Sequence, residues 1–162
     1  MTRLFSAALT FLIATSALQA QDASLSVGSK APSAVVQTLD GKPFDLGSYL
    51  GKTPVVLEFW ATWCSLCKEL EPELRAAQSK YGKQVKFVGI AVSINQTPQR
   101  VKLYATKHKL PLEVYFDTKG EASTAYDVFA TSTIVVINAK GIVVYTGQGG
   151  DQDIQAAIRK AL

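Results

Sequence analysis

The feature that most constrains this 162-residue chain is a junction near its middle. Val55-Val56-Leu57-Glu58-Phe59-Trp60 is a short apolar run rich in β-branched and aromatic residues, the pattern of a central strand buried on both faces of a parallel sheet. Its single charge, Glu58, is out of place there. From Cys64 onward the period changes: Cys67, Leu70, Leu74, Ala77 and Tyr81 recur every three or four residues, which predicts an amphipathic helix closed by Gly82. Cys64-Ser65-Leu66-Cys67 therefore lies where a buried strand hands over to a helix.

The flanking chain fits a sheet around that junction. Residues 34–38 and 43–46 read as a β-hairpin turning on Asp40-Gly41, a dipeptide suited to positive-φ turn geometry, and a short helix is expected over 46–50. A second buried strand is predicted over 85–92. A helix follows over 98–108, with Thr97 as its cap and Pro98 in its first turn. Residues 112–116 read as extended and 121–126 as a helical turn. Two β-rich runs, 133–137 and 142–146, are joined by Asn138-Ala139-Lys140-Gly141, and a last helix from about Asp151 puts Ile154, Ala157, Ile158 and Leu162 on one face. The predicted class is α/β, a central mixed sheet flanked by helices with an N-terminal hairpin.

Length and composition bound the rest. With 48% hydrophobic and 19% charged residues the chain suits one domain with a sizeable core, and no room is left for a second. A net charge of +4 without a long basic run gives no footing for nucleic-acid binding. The first twenty residues have the plan of an export leader: Arg3, then an apolar stretch from Leu4 to about Ala17, then small residues up to Ala20. Cleavage after Ala20 is the expectation, with Leu18 a poor fit at the minus-three position. Processing after Ala17, retention as an N-terminal membrane anchor, and a buried N-terminal helix of the fold are the alternatives. Residues 21–26 read as a linker and the domain as 27–162.

Export changes what the cysteines mean, because disulfides persist in oxidising compartments. The chain has only two, and a disulfide closing so short a loop removes little entropy from the unfolded state. Reactivity explains the pair better than stapling. An inert buried pair and half of a zinc site are the other readings; zinc structural sites usually take four Cys or His ligands, and the only histidine is the distant His108. A thiolate on Cys64 would be favoured by the unpaired N–H groups and positive dipole end of the helix, which makes Cys64 the expected nucleophile and Cys67, a turn inward and more shielded, the resolving thiol.

The segment Phe59-Trp60-Ala61-Thr62-Trp63-Cys64-Ser65-Leu66-Cys67-Lys68 resembles the active-site segment of thioredoxin-like proteins, especially the exported TlpA/ResA group. Pro72, five residues after Cys67, falls where thioredoxins carry a helix-kinking proline. Gly28 to Pro32 and Leu110 to Asp117 also resemble that group, so the likeness covers about residues 27–162. It implies a thioredoxin-like fold and a thiol–disulfide oxidoreductase with a Cys64/Cys67 redox disulfide and no cofactor or metal. The implied setting is the bacterial periplasm, with a monomer acting on a protein that carries a disulfide or thiol and re-reduced by a membrane electron donor.

Within that resemblance, Glu58 lies six residues before Cys64, where thioredoxins carry a buried acid. Burial should raise the affinity of its carboxyl for a proton, suiting proton exchange with Cys67. A structural acid paired with a lysine at a strand end is the competing reading. Trp63 is expected beside Cys64 as an accessory residue and Trp60 in the wall. The chain departs from the family at Thr131-Ser132: Ser132 stands where a cis-proline is expected, and no proline follows Pro111. A non-proline cis bond costs about 2.5–4 kcal/mol, so a trans Thr131–Ser132 bond is expected, with an altered substrate groove. Two other functions stay open: a thioredoxin-fold protein holding Cu(I) on its thiolates, and a thiol peroxidase, for which no peroxiredoxin-type threonine–cysteine motif is present.

Overall fold

The computed structural model describes residues 24–162. The leader, its cleavage site and the first part of the linker, residues 1–23, lie outside the described residues. Seven strands form one mixed sheet in the order β2-β1-β5-β4-β3-β6-β7. They are β1 (Val35–Thr38), β2 (Pro43–Asp45), β3 (Val55–Trp60), β4 (Lys86–Val92), β5 (Glu113–Asp117), β6 (Thr133–Ile137) and β7 (Val143–Gln148). The helices are α1 (Ser65–Tyr81), α2 (Pro98–His108), α3 (Glu121–Ala125) and α4 (Ile154–Arg159). The thioredoxin-like architecture expected from the sequence is present.

β3 lies inside the sheet, next to the middle strand β4, to which it is parallel, and antiparallel to β6 on its other side. All six of its residues are buried, which is why the run shows no polar alternation. Val56 packs with Leu70, Leu74 and Ala77 of α1 and Ile154 and Ile158 of α4; Val55, Leu57 and Phe59 face the opposite core with Tyr126 and Val135. A fully buried Leu or Ile contributes roughly 1.5–3 kcal/mol, so two such layers clamp β3 and fix the junction at its C-terminal end.

Several boundaries differ from those expected. The segment expected to be helical over 46–50 is a 3₁₀ turn, Leu46–Ser48, begun by the Asp45 carboxylate accepting the Gly47 N–H at 2.7 Å. Cys64 is not in the first turn of α1 but is its N-cap, with extended φ and ψ of −74° and 113°. Gly82 closes α1 in right-handed conformation, φ −61°, with its N–H on the Gln78 carbonyl. α4 begins at Ile154 because the Asp153 carboxylate caps it, accepting the Ala156 N–H at 2.7 Å. The hairpin turns on Gly41 at φ +83°, as Asp-Gly predicts.

The N-terminal arm is tied down before Val27. Ser24 is buried, and the Leu25 N–H donates to the Tyr126 carbonyl at 2.9 Å. Gly28 and Ala31 donate to the carbonyls of Val143 and Gly141, and Val143 donates back to Ser29. The arm thus runs as an extra ribbon along the start of β7. Among the described residues no helix is long and apolar enough to cross a membrane.

Candidate active site

Cys64 and Cys67 form a disulfide at the start of α1, their Cα atoms 5.3 Å apart. The Cys64 sulfur also accepts the Cys67 N–H at 3.0 Å, so it occupies the place of a capping oxygen. That is where the orphan N–H groups and the positive end of the helix dipole favour a thiolate. The expected difference in shielding is not found in this oxidised form: Cys64 is 4% and Cys67 6% exposed. What separates the two is direction, because Cys67 borders an internal cavity and Cys64 does not.

That cavity, about 10 Å³, lies between β3, α1 and α2 and is also bordered by Glu58. Glu58 sits in the middle of β3, opposite Gly89 of β4 and Ile134 of β6, and is 3% exposed. The lysine pairing at a strand end is absent: among the described residues no ion pair involves Glu58. Desolvation first, and the nearby charge of Glu71 second, push its carboxyl from the ordinary 4.5 up to about 8. Gly89 leaves room for two residues that wall the cavity, since a Cβ there would come within 2.9 Å of Trp60 Nε1 and 3.1 Å of Leu112.

Trp63, 41% exposed, is fixed over the site by its indole N–H donating to the Ile94 carbonyl at 2.8 Å. Trp60 is buried in the wall, its ring 5.7 Å from that of Tyr104. Beside Trp63 opens a second cavity of about 330 Å³, walled by Ile94, Val128, Phe129 and Thr131. Phe129, 88% exposed, and Ile94, 62%, offer apolar surface next to the cysteines. The Thr131–Ser132 bond is trans, as expected.

Ser132 takes a left-handed φ of +62° and is fully buried. Its hydroxyl donates to the Gly149 carbonyl at 2.8 Å, and its own carbonyl accepts from Gly149 and Gln152. Thr131, not Ser132, is therefore the residue that faces the pocket. Proline cannot adopt this φ. Ser132→Pro is expected to cost about 2–3 kcal/mol in backbone strain and lost hydrogen bonding, read as a lower urea midpoint. An unchanged midpoint would mean that the loop is not held in this conformation.

Three further residues shape the site and were not legible in the sequence. Gln96 accepts the Thr62 N–H at 2.9 Å and donates to the Val92 carbonyl at 2.5 Å, bracing the loop before Cys64. Gln152 holds the Ser132 loop through the carbonyls of Ser132 and Gly149. Glu71 borders the Glu58 cavity. Nothing local marks a glutamine or a helical glutamate for such a place.

A central parallel strand running into a helix capped by a CxxC disulfide, within a mixed sheet, defines a thioredoxin-like thiol–disulfide oxidoreductase. Residues 27–146 match the AhpC/TSA family, and the chain belongs to it. It is similar to the thiol-disulfide oxidoreductase ResA of Bacillus subtilis, 35% identical over 121 residues, which span 75% of this chain and 66% of that protein. The ResA protein of Bacillus thuringiensis subsp. konkukian is 32% identical over 125 residues, 77% of this chain and 71% of the relative. Among solved structures, a thioredoxin-family thiol:disulfide interchange protein from Chlorobium tepidum superposes with a TM-score of 0.69 at 29% identity, covering 84% of this chain and 97% of the other.

Proposed function

We propose that this oxidoreductase reduces disulfides in exported proteins, with Cys64 attacking, Cys67 resolving and Glu58 as the proton partner of Cys67. The observation that carries this assignment is the division of the pair, with Cys64 at the helix cap and Cys67 on the Glu58 cavity. The Cys64 thiolate attacks one sulfur of a substrate disulfide, and the other substrate sulfur leaves as a thiolate and takes up a proton. The Cys67 thiol then passes its proton to the Glu58 carboxylate and attacks the Cys64 sulfur. The second substrate sulfur leaves, so that the substrate gains two electrons and the chain is left with the Cys64–Cys67 disulfide.

The carboxyl suits this exchange, because a proton affinity near 8 approaches that of an ordinary thiol at ~8.5 and the proton moves between them at little cost. Trp63 and Thr131 border the pocket that receives an apolar side chain of the substrate segment, and Ser132 fixes Thr131 from behind. The leader-like residues 1–20 support action outside the cytosol, in a bacterial periplasm, either after cleavage or held by an N-terminal anchor. On this reading the domain takes in the packed arm from Ser24 onward rather than starting at Val27, and a monomer is re-reduced by a dithiol donor at the membrane.

Equilibration with glutathione buffers, combined with insulin reduction, peroxide consumption and metal content of anaerobically purified protein, tests the assignment. The expected result is a two-electron couple toward the reducing end of the roughly −270 to −120 mV range of this class, with disulfide-reductase turnover. One equivalent of copper without turnover, or peroxide consumption in its place, overturns it.

A further inference from the structure

A buried carboxyl that exchanges a proton in every cycle needs a path to solvent, and the cavity beside Glu58 has a second carboxylate on it. The ionisable side chains bordering the cavity are Glu58 from β3, Cys67, Lys68 and Glu71 from α1, and Tyr104 from α2. The closing loop 110–112 carries none, and the neighbouring strands present Gly89 and Ile134 opposite Glu58. Glu71 stands four residues after Cys67, hence on the same face of α1 one turn on. Its side chain is 19% exposed, whereas Glu58 is 3% exposed, so Glu71 spans the interval between the buried carboxyl and water.

The position of Glu71 is held. Arg75 donates to the same oxygen, Oε1, through Nε at 3.0 Å and Nη2 at 2.5 Å, and its guanidinium is itself anchored on the carbonyls of His108 and Lys109 at the end of α2. Among the described residues Oε2 has no hydrogen-bond partner. With two carboxyls on its wall, a cavity of about 10 Å³ is at the threshold for one water.

We propose that Glu71 is a positioning residue of the redox couple: clamped by Arg75 at the outer end of the Glu58–Cys67 cavity, it carries the proton between Glu58 and solvent. The inference rests on the assignment of Glu58 as proton partner of Cys67. Protonated Glu58 gives its proton, across one water, to the free oxygen of the Glu71 carboxylate. Glu71 releases it to bulk water, which restores both carboxylates and leaves the disulfide untouched. Burial is the main cause of the raised proton affinity of Glu58, and the negative charge of Glu71 adds to it, so the residue that drains the proton also helps to hold it. An ordinary exposed i,i+4 pair with Arg75 would do neither.

The test compares the full chain with its Glu71→Gln, Glu58→Gln and doubly substituted forms. The resolving step is followed by release of an aromatic thiol from a mixed disulfide on Cys64 between pH 5 and 10, and the Glu58 carboxyl is titrated by ¹³C NMR in the oxidised protein. Glu71→Gln is expected to lower the Glu58 midpoint by at least about half a pH unit, about threefold in proton affinity, and to slow resolution severalfold. It should add nothing in the Glu58→Gln background, and Glu71→Asp should restore most of the rate. Wild-type profiles and midpoint in Glu71→Gln, beside a flattened Glu58→Gln profile, overturn the role of Glu71 and leave that of Glu58 standing. An unchanged profile in Glu58→Gln removes both.

Discussion

Replacing Cys67 with serine is expected to give a protein that reacts with a disulfide substrate once and stops. Cys64 still sits at the cap of α1, where its thiolate is favoured, so the first attack proceeds and the mixed disulfide accumulates as a covalent adduct visible by mass. Multiple turnover falls on the order of 10³-fold or more, because the resolving sulfur is gone. Cys64→Ser should lose turnover to a similar extent and trap no adduct. The near-equal exposure of the two residues does not decide between them, which makes this pair of variants the direct measurement of their division of labour. Adduct on Cys67 in the Cys64→Ser protein, and none in Cys67→Ser, would reverse the roles.

The second large effect concerns stability. Glu58 is neutral in both folded and unfolded chains well below pH 4.5, and there its burial carries no ionisation cost. As the pH rises the unfolded chain ionises first while the fold holds its proton to about 8, so the unfolded state binds fewer protons and stability falls with pH. At ~1.4 kcal/mol per pH unit the loss reaches roughly 3–5 kcal/mol by pH 8, a large part of the 5–15 kcal/mol typical of a domain. Glu58→Gln abolishes this dependence. In urea unfolding of the oxidised protein, the variant should match wild type within about 1 kcal/mol near pH 4 and exceed it by several kcal/mol above pH 8. Parallel curves at every pH would show that the carboxyl is solvated in the fold.

Glu58 illustrates what local sequence can reveal. One charge in an apolar run of six residues is visible without any tertiary information, and so is a pair of cysteines at a change of hydrophobic period. The strands β3, β4 and β6 were legible for the same reason, as apolar runs, and the hairpins at β1–β2 and β6–β7 from Asp40-Gly41 and Asn138-Ala139-Lys140-Gly141 between them. Glu71 reads as one acid among several on a helix, because its place depends on a cavity walled by β3, α2 and the 110–112 loop and on an arginine held by the end of α2. Gln96 and Gln152 brace loops through backbone groups that come near only after folding. Ser132 was conspicuous as a departure from a family pattern. Its left-handed backbone and its bond to Gly149 depend on β7, and no pattern around residue 132 encodes them.

The arm that runs along β7 has a consequence for how the molecule is made. Gly28 and Ser29 find their backbone partners at Val143, more than a hundred residues later, and Leu25 finds its partner at Tyr126. A chain delivered N-terminus first must keep those groups waiting until the β6–β7 hairpin has emerged. Strand β3 likewise waits for β6 on one side. Contacts of such long range slow folding and lengthen the exposure of unpaired strand edges. This domain therefore closes only when almost all of it has been delivered, and the first described residues are among the last to find their places.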